Sequence, residues 1–286
     1  MIRLDTGSKV ALGFLIAMGI GALAVPALPL PDPSAFSLEN ALSPPAWTLQ
    51  PVLGTDAQGR DLAARILWGA RISLSVGFLG SLVALLIGLP WGAVAGYHGG
   101  RADRWMMRFC DALEGVPLVV VVLFLLAILQ EYRMEMASIG LGRIHLFFFA
   151  VGALFWVPTA RVARAEALRL RKAPFVEASR GIGAPTISIL LRHILPHLLS
   201  TVLVMLTLTL PRVVLMEAFL SFLGLGVEAP DVSWGILARE GLETLNPLVD
   251  CWWILVLPGM TLAFTLLALQ RLGDGEVLTE GRAPVL

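Results

Sequence analysis

The chain has 286 residues, 57% of them hydrophobic and 15% charged, with acidic and basic side chains balanced and a mean hydropathy of +0.81. Soluble domains carry about a quarter charged residues, so this composition excludes an ordinary soluble globule and points to a lipid bilayer. The zero formal net charge leaves no basic surface that would suggest nucleic acid.

A spanning helix needs about 20 mostly apolar residues, and the first candidate runs from Lys9 to Leu30, ended by Pro26, Pro29, Pro31 and Pro33. Its apolar part is long and its cleavage pattern indistinct, so it reads as a retained anchor and not as a signal peptide. Residues Pro29 to Pro51 form an extended external connection. Leu53-Gly-Thr-Asp-Ala-Gln-Gly-Arg-Asp61, then Arg65 and Gly69-Ala-Arg71, are dense in charge. Asp56, Arg60, Asp61 and Arg65 could pair with one another into a rigid lip; the same residues also suit a solvated amphipathic helix on the bilayer surface. The second span covers about Ile72 to Tyr97. The third is centred on Pro117 to Leu129, borrows from Phe109 to Gly115, and is short enough to need shelter from neighbours. The fourth covers Ile144 to Ala160.

Between the fourth and fifth spans lies a polar, basic stretch, Phe175-Val-Glu-Ala-Ser-Arg-Gly-Ile-Gly-Ala-Pro, running on to Arg192-His-Ile-Leu-Pro196. Pro174 can open a helix, since its missing N–H would be unpaired in a first turn anyway. Glu177 then falls in that turn, where its charge complements the helix dipole. Ala178 and Ser179 are small enough for close approach to a partner, and Gly183-Ala-Pro185 forces a close-packed bend. An amphipathic stretch from Thr186 to His193 leads back to the membrane at Pro196. An ordinary basic loop is the alternative. The fifth span covers about Leu198 to Phe222 and the sixth Leu248 to Gln270. Between them, Gly224 and Gly226 break the helix after Glu217-Ala-Phe-Leu-Ser-Phe-Leu, and Ser233-Trp-Gly235 starts a short re-entrant or surface helix that would lid a central cavity. Glu114, Arg212 and Glu217 sit at or in apolar spans, where charge is expensive and is a functional candidate by default; whether they line a pathway stays open.

With the N-terminus inside, fourteen of the 21 Lys and Arg residues fall on the cytoplasmic side. The positive-inside rule prefers that arrangement, with both termini and the Glu177 stretch in the cytoplasm. The eight tryptophans fall mostly near span ends, as expected of interfacial anchors. Cys110 and Cys251 read as free buried thiols, and the His193/His197 pair, with Pro196 between, makes a poor metal site. The only lysines, Lys9 and Lys172, do not follow a glycine, so a phosphate-cradling G-x-x-x-x-G-K loop cannot exist here. Any ATP hydrolysis would belong to another polypeptide.

The motifs resemble the C-type permease subunit of the dipeptide/oligopeptide/nickel group of ABC importers. The resemblance runs from about residue 50 to 275. It rests on L-G-T-D-x-x-G-R-D with its G-A-R continuation (Leu53 to Arg71), A-G-Y-x-G-G (Ala95 to Gly100), the E-A-A-x3-G signature with Arg192-His-Ile-Leu-Pro196, E-A-x-L-S-F-L-G-L-G (Glu217 to Gly226), Ser233-Trp-Gly235 and Leu272-Gly-Asp-Gly275. Ser179 replaces the second Ala of the signature, His197 stands where Asn is common, Gln130 to Ser138 is unusually charged, and the tail after Gly275 lacks the usual pattern.

The resemblance implies an all-α membrane protein of six transmembrane helices with the type I ABC importer permease fold. Residues 1–50 are the anchor and external connection, 51–70 an external amphipathic segment, 71–275 the permease domain and 276–286 a cytoplasmic tail. Glu177, Ala178, Ser179, Gly183, Leu195 and Pro196 would form an ATPase-coupling helix and its exit. Asp56, Arg60, Asp61, Ser233 and Trp234 would form an external gate or binding-protein dock. The implied partners are a homologous B-type permease, two ATPases that hold ATP and Mg, and an extracytoplasmic substrate-binding protein; the chain itself binds no metal or cofactor and catalyses nothing. The expected cargo is a di- or oligopeptide crossing the bacterial cytoplasmic membrane by alternating access, with chelated nickel or another small solute as the alternative. A proton-coupled carrier relaying through Glu114, Arg212 and Glu217 is a reading of a different class. An intramembrane enzyme lacks any H-E-x-x-H, G-x-S-x-G or facing Asp pair.

Overall fold

The computed structural model describes residues 5–46, 51–132, 150–227, 230–246 and 248–280. Among them the regular elements are helices: α1 (Thr6–Ala24), α2 (Leu62–His98), α3 (Gly100–Glu114), α4 (Leu118–Glu131), α5 (Trp156–Leu170), α6 (Pro174–Gly181), α7 (Thr186–Ile189), α8 (Leu195–Phe222), α9 (Trp234–Thr244) and α10 (Trp253–Glu280). Strand-like pairing among these residues amounts to two isolated bridges, Thr55–Asp61 and Asn246–Val249. Four stretches are long and apolar enough to cross a membrane: Thr6–Ala27, Leu62–His98, Val204–Phe222 and Trp253–Gly273. They match the first, second, fifth and sixth expected spans.

The structure moves some expected boundaries. The second helix opens at Leu62, ten residues before the expected Ile72, because Asp61 caps it: the Asp61 carboxylate accepts from the Ala64 amide at 2.8 Å. Its 37 residues reach about 55 Å at 1.5 Å per residue, well beyond a hydrocarbon core of about 30 Å. The expected third span is divided. α3 ends at Glu114 and α4 begins at Leu118, with Pro117 restricting the residue before it; the 14 residues of α4 are too few to cross alone. Residues 144–149 of the expected fourth span, residues 133–138 of the charged turn, Trp47 and the tail beyond 280 lie outside the described residues.

The chain forms two compact units, one of residues 1–77 with 214–286 and one of residues 78–213. In the first, Asp5 caps α1 by accepting from the Ser8 amide at 2.7 Å, and α1 and α9 both pack along α10. The Trp234 indole is fully buried and donates to the Ile66 carbonyl at 3.1 Å, and buried Trp253 donates to the Thr55 carbonyl at 3.1 Å. These two tryptophans are internal staples, not the interfacial anchors that their sequence positions suggest.

In the second unit, Gly88, Gly92 and Gly96 form a notch every four residues along α2, one face of a helix. A Cβ on Gly92 would fall on the Ala160 carbonyl and within 2.7 Å of the Ala163 side chain; Gly88 and Gly96 meet α5 in the same way. Small residues at this spacing let two helix backbones meet. Beside the crossing, Leu85, Tyr97, Ala167, Leu170, Val176, Ile189 and Ile194 form one buried apolar cluster. α7 runs into α8 through a π turn, Leu190–Ile194, closed by the Leu195 amide on the Leu190 carbonyl. Pro196 explains the widened turn: it cannot donate to the Arg192 carbonyl, and its ring crowds that group.

Candidate functional site

α6 is built as its composition dictates. Pro174 occupies the first helical turn after an extended Ala173, and Glu177 sits in that same turn. Val176 and Ser179 face inward, whereas Glu177, Ala178 and Arg180 are exposed. Val176 enters the apolar cluster described above, and the Arg180 guanidinium lies over the Tyr97 ring at 4.8 Å while its Nε donates to the Tyr97 hydroxyl at 3.2 Å. One face thus clamps α6 to the end of α2, and the other presents a carboxylate beside a methyl group.

Two expectations need correction here. Ser179 does not offer itself to a partner: its hydroxyl donates to the Phe175 carbonyl at 2.8 Å and lies 3.4 Å from His193 Nε2. Gly183 is not in a close-packed bend. It adopts φ +79°, and an added Cβ would meet nothing within 4 Å. The constraint is the left-handed backbone, which L side chains disfavour, and not crowding. Leu195 is half-buried and Pro196 exposed at the start of α8. His197 stacks on Phe175, ring centroids 5.0 Å apart, and its Nδ1 lies 2.6 Å from the His193 carbonyl; these two histidines are engaged within the segment, and the described residues contain no cluster fit for a metal.

The 54–65 corner closes on itself. Asp56 binds the Arg60 Nε and Arg65 Nη1, both at 2.6 Å. Its other oxygen accepts from the Gln58 and Arg60 amides at 2.8 and 3.0 Å. Glu240 of α9 completes the cluster, taking Arg60 Nη2 at 2.9 Å and bonding Arg65 as well. Arg65 is only 2% exposed and its Nε stays unpaired. Asp61, expected in this network, is the α2 cap instead. Glu217 is fully buried and accepts from Ser73 Oγ of α2 at 2.8 Å and Ser221 Oγ at 2.7 Å. Ser233 caps α9 through its hydroxyl, accepting from the Ile236 amide at 3.4 Å. Ser233 and Trp234, expected at an outer surface, are buried. Glu240 and Ser73 leave no local pattern in the sequence, because their partners lie 144 to 180 residues away; Ser221, one turn from Glu217, and the Gly88-x3-Gly92-x3-Gly96 spacing are local and legible.

In the 78–213 unit, Glu114, Pro117, Trp156 and Arg212 help line a largely apolar cavity of about 300 Å³. Arg161 binds Glu114 at 2.6 Å and Asp111 at 2.8 Å. Arg164 makes a two-pronged bond to buried Asp103, which holds the guanidinium's pKa above its usual value against the effect of burial.

Residues 88–274 match the family described as the binding-protein-dependent transport system inner membrane component. The chain belongs to this family. Among curated relatives, the dipeptide transport system permease protein DppC of Bacillus subtilis (strain 168) is 41% identical over 78% of this chain, which spans 65% of that protein. The oligopeptide transport system permease protein OppC of the same organism is 36% identical over 96% of this chain and 86% of the relative. OppC of Escherichia coli (strain K12) is 35% identical over 78% and 69%. A solved structure of the MetNI methionine ABC transporter in inward-facing conformations aligns at 18% identity with TM-score 0.49, over 74% of this chain and 96% of that one. Family membership makes this chain an all-α, multi-pass inner-membrane subunit of a transport system that works with a binding protein. It is a transport component and not an enzyme. The matched region contains α6 and its exit to Pro196.

Proposed function

We propose that this chain is one of two permease subunits of an ATP-driven peptide importer, and that α6 is the helix through which separate ATPases drive it. The observation that carries the reading is the exposed Glu177–Ala178 face on a helix whose opposite face is locked into its own subunit. Relatives named as dipeptide and oligopeptide permeases support a peptide cargo delivered by an extracytoplasmic binding protein. The basic residues of the loops support both termini on the cytoplasmic side. Glu217 is held by two serine hydroxyls and Glu114 by Arg161, which favours bracing roles for these carboxylates over a proton relay.

Coupling then works by rigid transmission. ATPase closure displaces α6, and α6 carries the helices clamped to it, so that the permease pair alternates between outward and inward access. The test is ATPase stimulation by peptide-loaded binding protein in reconstituted vesicles, measured beside peptide uptake. Glu177→Lys reverses a dipole interaction of about 0.3–1 kcal/mol within the helix, but a mismatched charge buried at the ATPase contact costs several kcal/mol more. Stimulation and uptake fall together while assembly and binding-protein docking persist. Normal stimulation and uptake would reduce α6 to a basic connector. Reporter fusions at Gly100 and Lys172 read inside and those at Asp56 and Asp231 outside; an inside signal at Asp56 would overturn the orientation.

A further inference from the structure

α3 is held by one face and leaves the other unoccupied. Asp103 and Cys110 are buried, the first on Arg164 of α5, and Asp111 turns to Arg161. The free face carries Arg101, Arg104 and Arg108 at i, i+3 and i+7, all exposed, around a shallow cleft of about 200 Å³ shared with Trp105. Trp105 is 70% exposed with the Arg108 guanidinium 5.7 Å over its ring; Phe109, whose inner edge rests on Trp91 at 5.6 Å between ring centroids and which is otherwise half-exposed, and Leu113 continue the stripe four and eight residues after Trp105. Among the described residues, Arg161, Arg164, Arg169 and Arg239 each have a carboxylate partner, whereas these three have none. Three guanidiniums are thus gathered on one face with every nearby carboxylate turned away.

We propose that α3 lies in the headgroup layer of the cytoplasmic leaflet and binds the phosphates of anionic phospholipids in the Arg101–Arg104–Arg108 cleft. The planar guanidinium fork matches phosphate oxygens two at a time, and clustered arginines beside a span gain from the negative surface potential of that leaflet. Trp105 suits the boundary between water and acyl chains, with Phe109 and Leu113 on its apolar side. The chain geometry keeps α3 at that level. Gly99 and Gly100, both at positive φ, turn the chain directly out of the long α2, and apolar α4 starts four residues after α3 ends. A soluble protein partner would need no such apolar stripe running toward α4.

The inference rests on the cytoplasmic placement of Gly100 proposed above. The assembled transporter, equilibrated with a mixture of phosphatidylglycerol and phosphatidylcholine, is analysed by native mass spectrometry for retained lipid. The wild type retains phosphatidylglycerol preferentially, millimolar inorganic phosphate does not displace it, and R101Q/R104Q/R108Q loses the preference by about tenfold or more. Equal preference in the two proteins overturns the proposal. So does displacement by free phosphate, or loss of the ATPase subunits from the variant with lipid preference intact, which would make the face a protein contact. Should the triple variant not assemble, a photoreactive phenylalanine analogue at position 105 decides: adducts to lipid support the site, adducts to an ATPase subunit refute it. A reporter at Gly100 that reads outside would sink the orientation, not the lipid measurement.

Discussion

Two polar regions of this chain treat their charges in opposite ways. At the 54–65 corner, Asp56, Arg60, Arg65 and Glu240 bind one another, and Asp56 also takes two backbone amides. On α6, Glu177 and Ala178 are exposed while Ser179 and Val176 hold the helix down. Both regions lie in motifs shared with the permease group that the sequence resembles, yet only one presents its motif residues to the outside. A recurring motif can therefore record an internal brace as easily as a contact, and burial separates the two. Asp56 and Arg60 are engaged with Arg65 and Glu240, so a gate or docking role for these side chains requires those ion pairs to open.

The comparison is most easily broken at Arg65. Arg65→Met should lower the thermal midpoint of the purified transporter by an amount corresponding to about 3–5 kcal/mol, because two carboxylates lose a buried partner. Adding Asp56→Asn and Glu240→Gln should recover part of the loss. An unchanged midpoint would mean that the cluster braces nothing.

Ser73→Ala removes one of the donors to buried Glu217 and should cost about 1–3 kcal/mol, read by the same unfolding measurement; a parallel Glu217→Gln should not repair it. For α6 the comparison predicts the reverse pattern, with function falling while stability barely moves. Gly183 sharpens this. A left-handed backbone costs an ordinary residue roughly 1–2 kcal/mol, and nothing near Gly183 blocks a side chain, so Gly183→Asn should keep most ATPase stimulation and Gly183→Val should lose it. Equal loss in both would restore the close-packed bend.

The smallest effect is at Asp5. Its bonds from Ser8 hold its pKa below the usual 3.8. The cap is therefore fully present above the unfolded-state pKa and is lost as pH falls through the lower folded value. The protection factor of the Ser8 amide, its exchange measured against the intrinsic rate at each pH, should fall in that acid window, and Asp5→Asn, which caps without titrating, should remove the pH dependence.

Much of this was readable in advance. The apolar runs mark six spans, four of which are long crossing helices among the described residues; Pro174 and Glu177 mark α6, and Ser233 marks the start of α9, since each rests on residues within a turn or two of one another. What escaped depended on distance along the chain. Nothing near Arg65 announces Glu240, and nothing near Glu217 announces Ser73. Trp234 and Trp253 looked like belt anchors because sequence position reports nearness to a span end, not the direction of the ring. Small size at Ser179 does not imply exposure, because a small side chain also fits where α6 meets its own subunit.

The notches at Gly88, Gly92 and Gly96 have a mechanical consequence. Where backbones meet through glycine there is no layer of side chains to slide or repack, and close-packed contacts yield in discrete steps if at all. The part of α2 that faces α5 is therefore splinted to it over three successive turns. α5 ends at Leu170, whose carbonyl accepts from the Ala173 amide at the threshold of α6. A displacement at α6 has no soft joint along this seam in which to be absorbed, so under the coupling proposed above the splint turns a short lever into a long one.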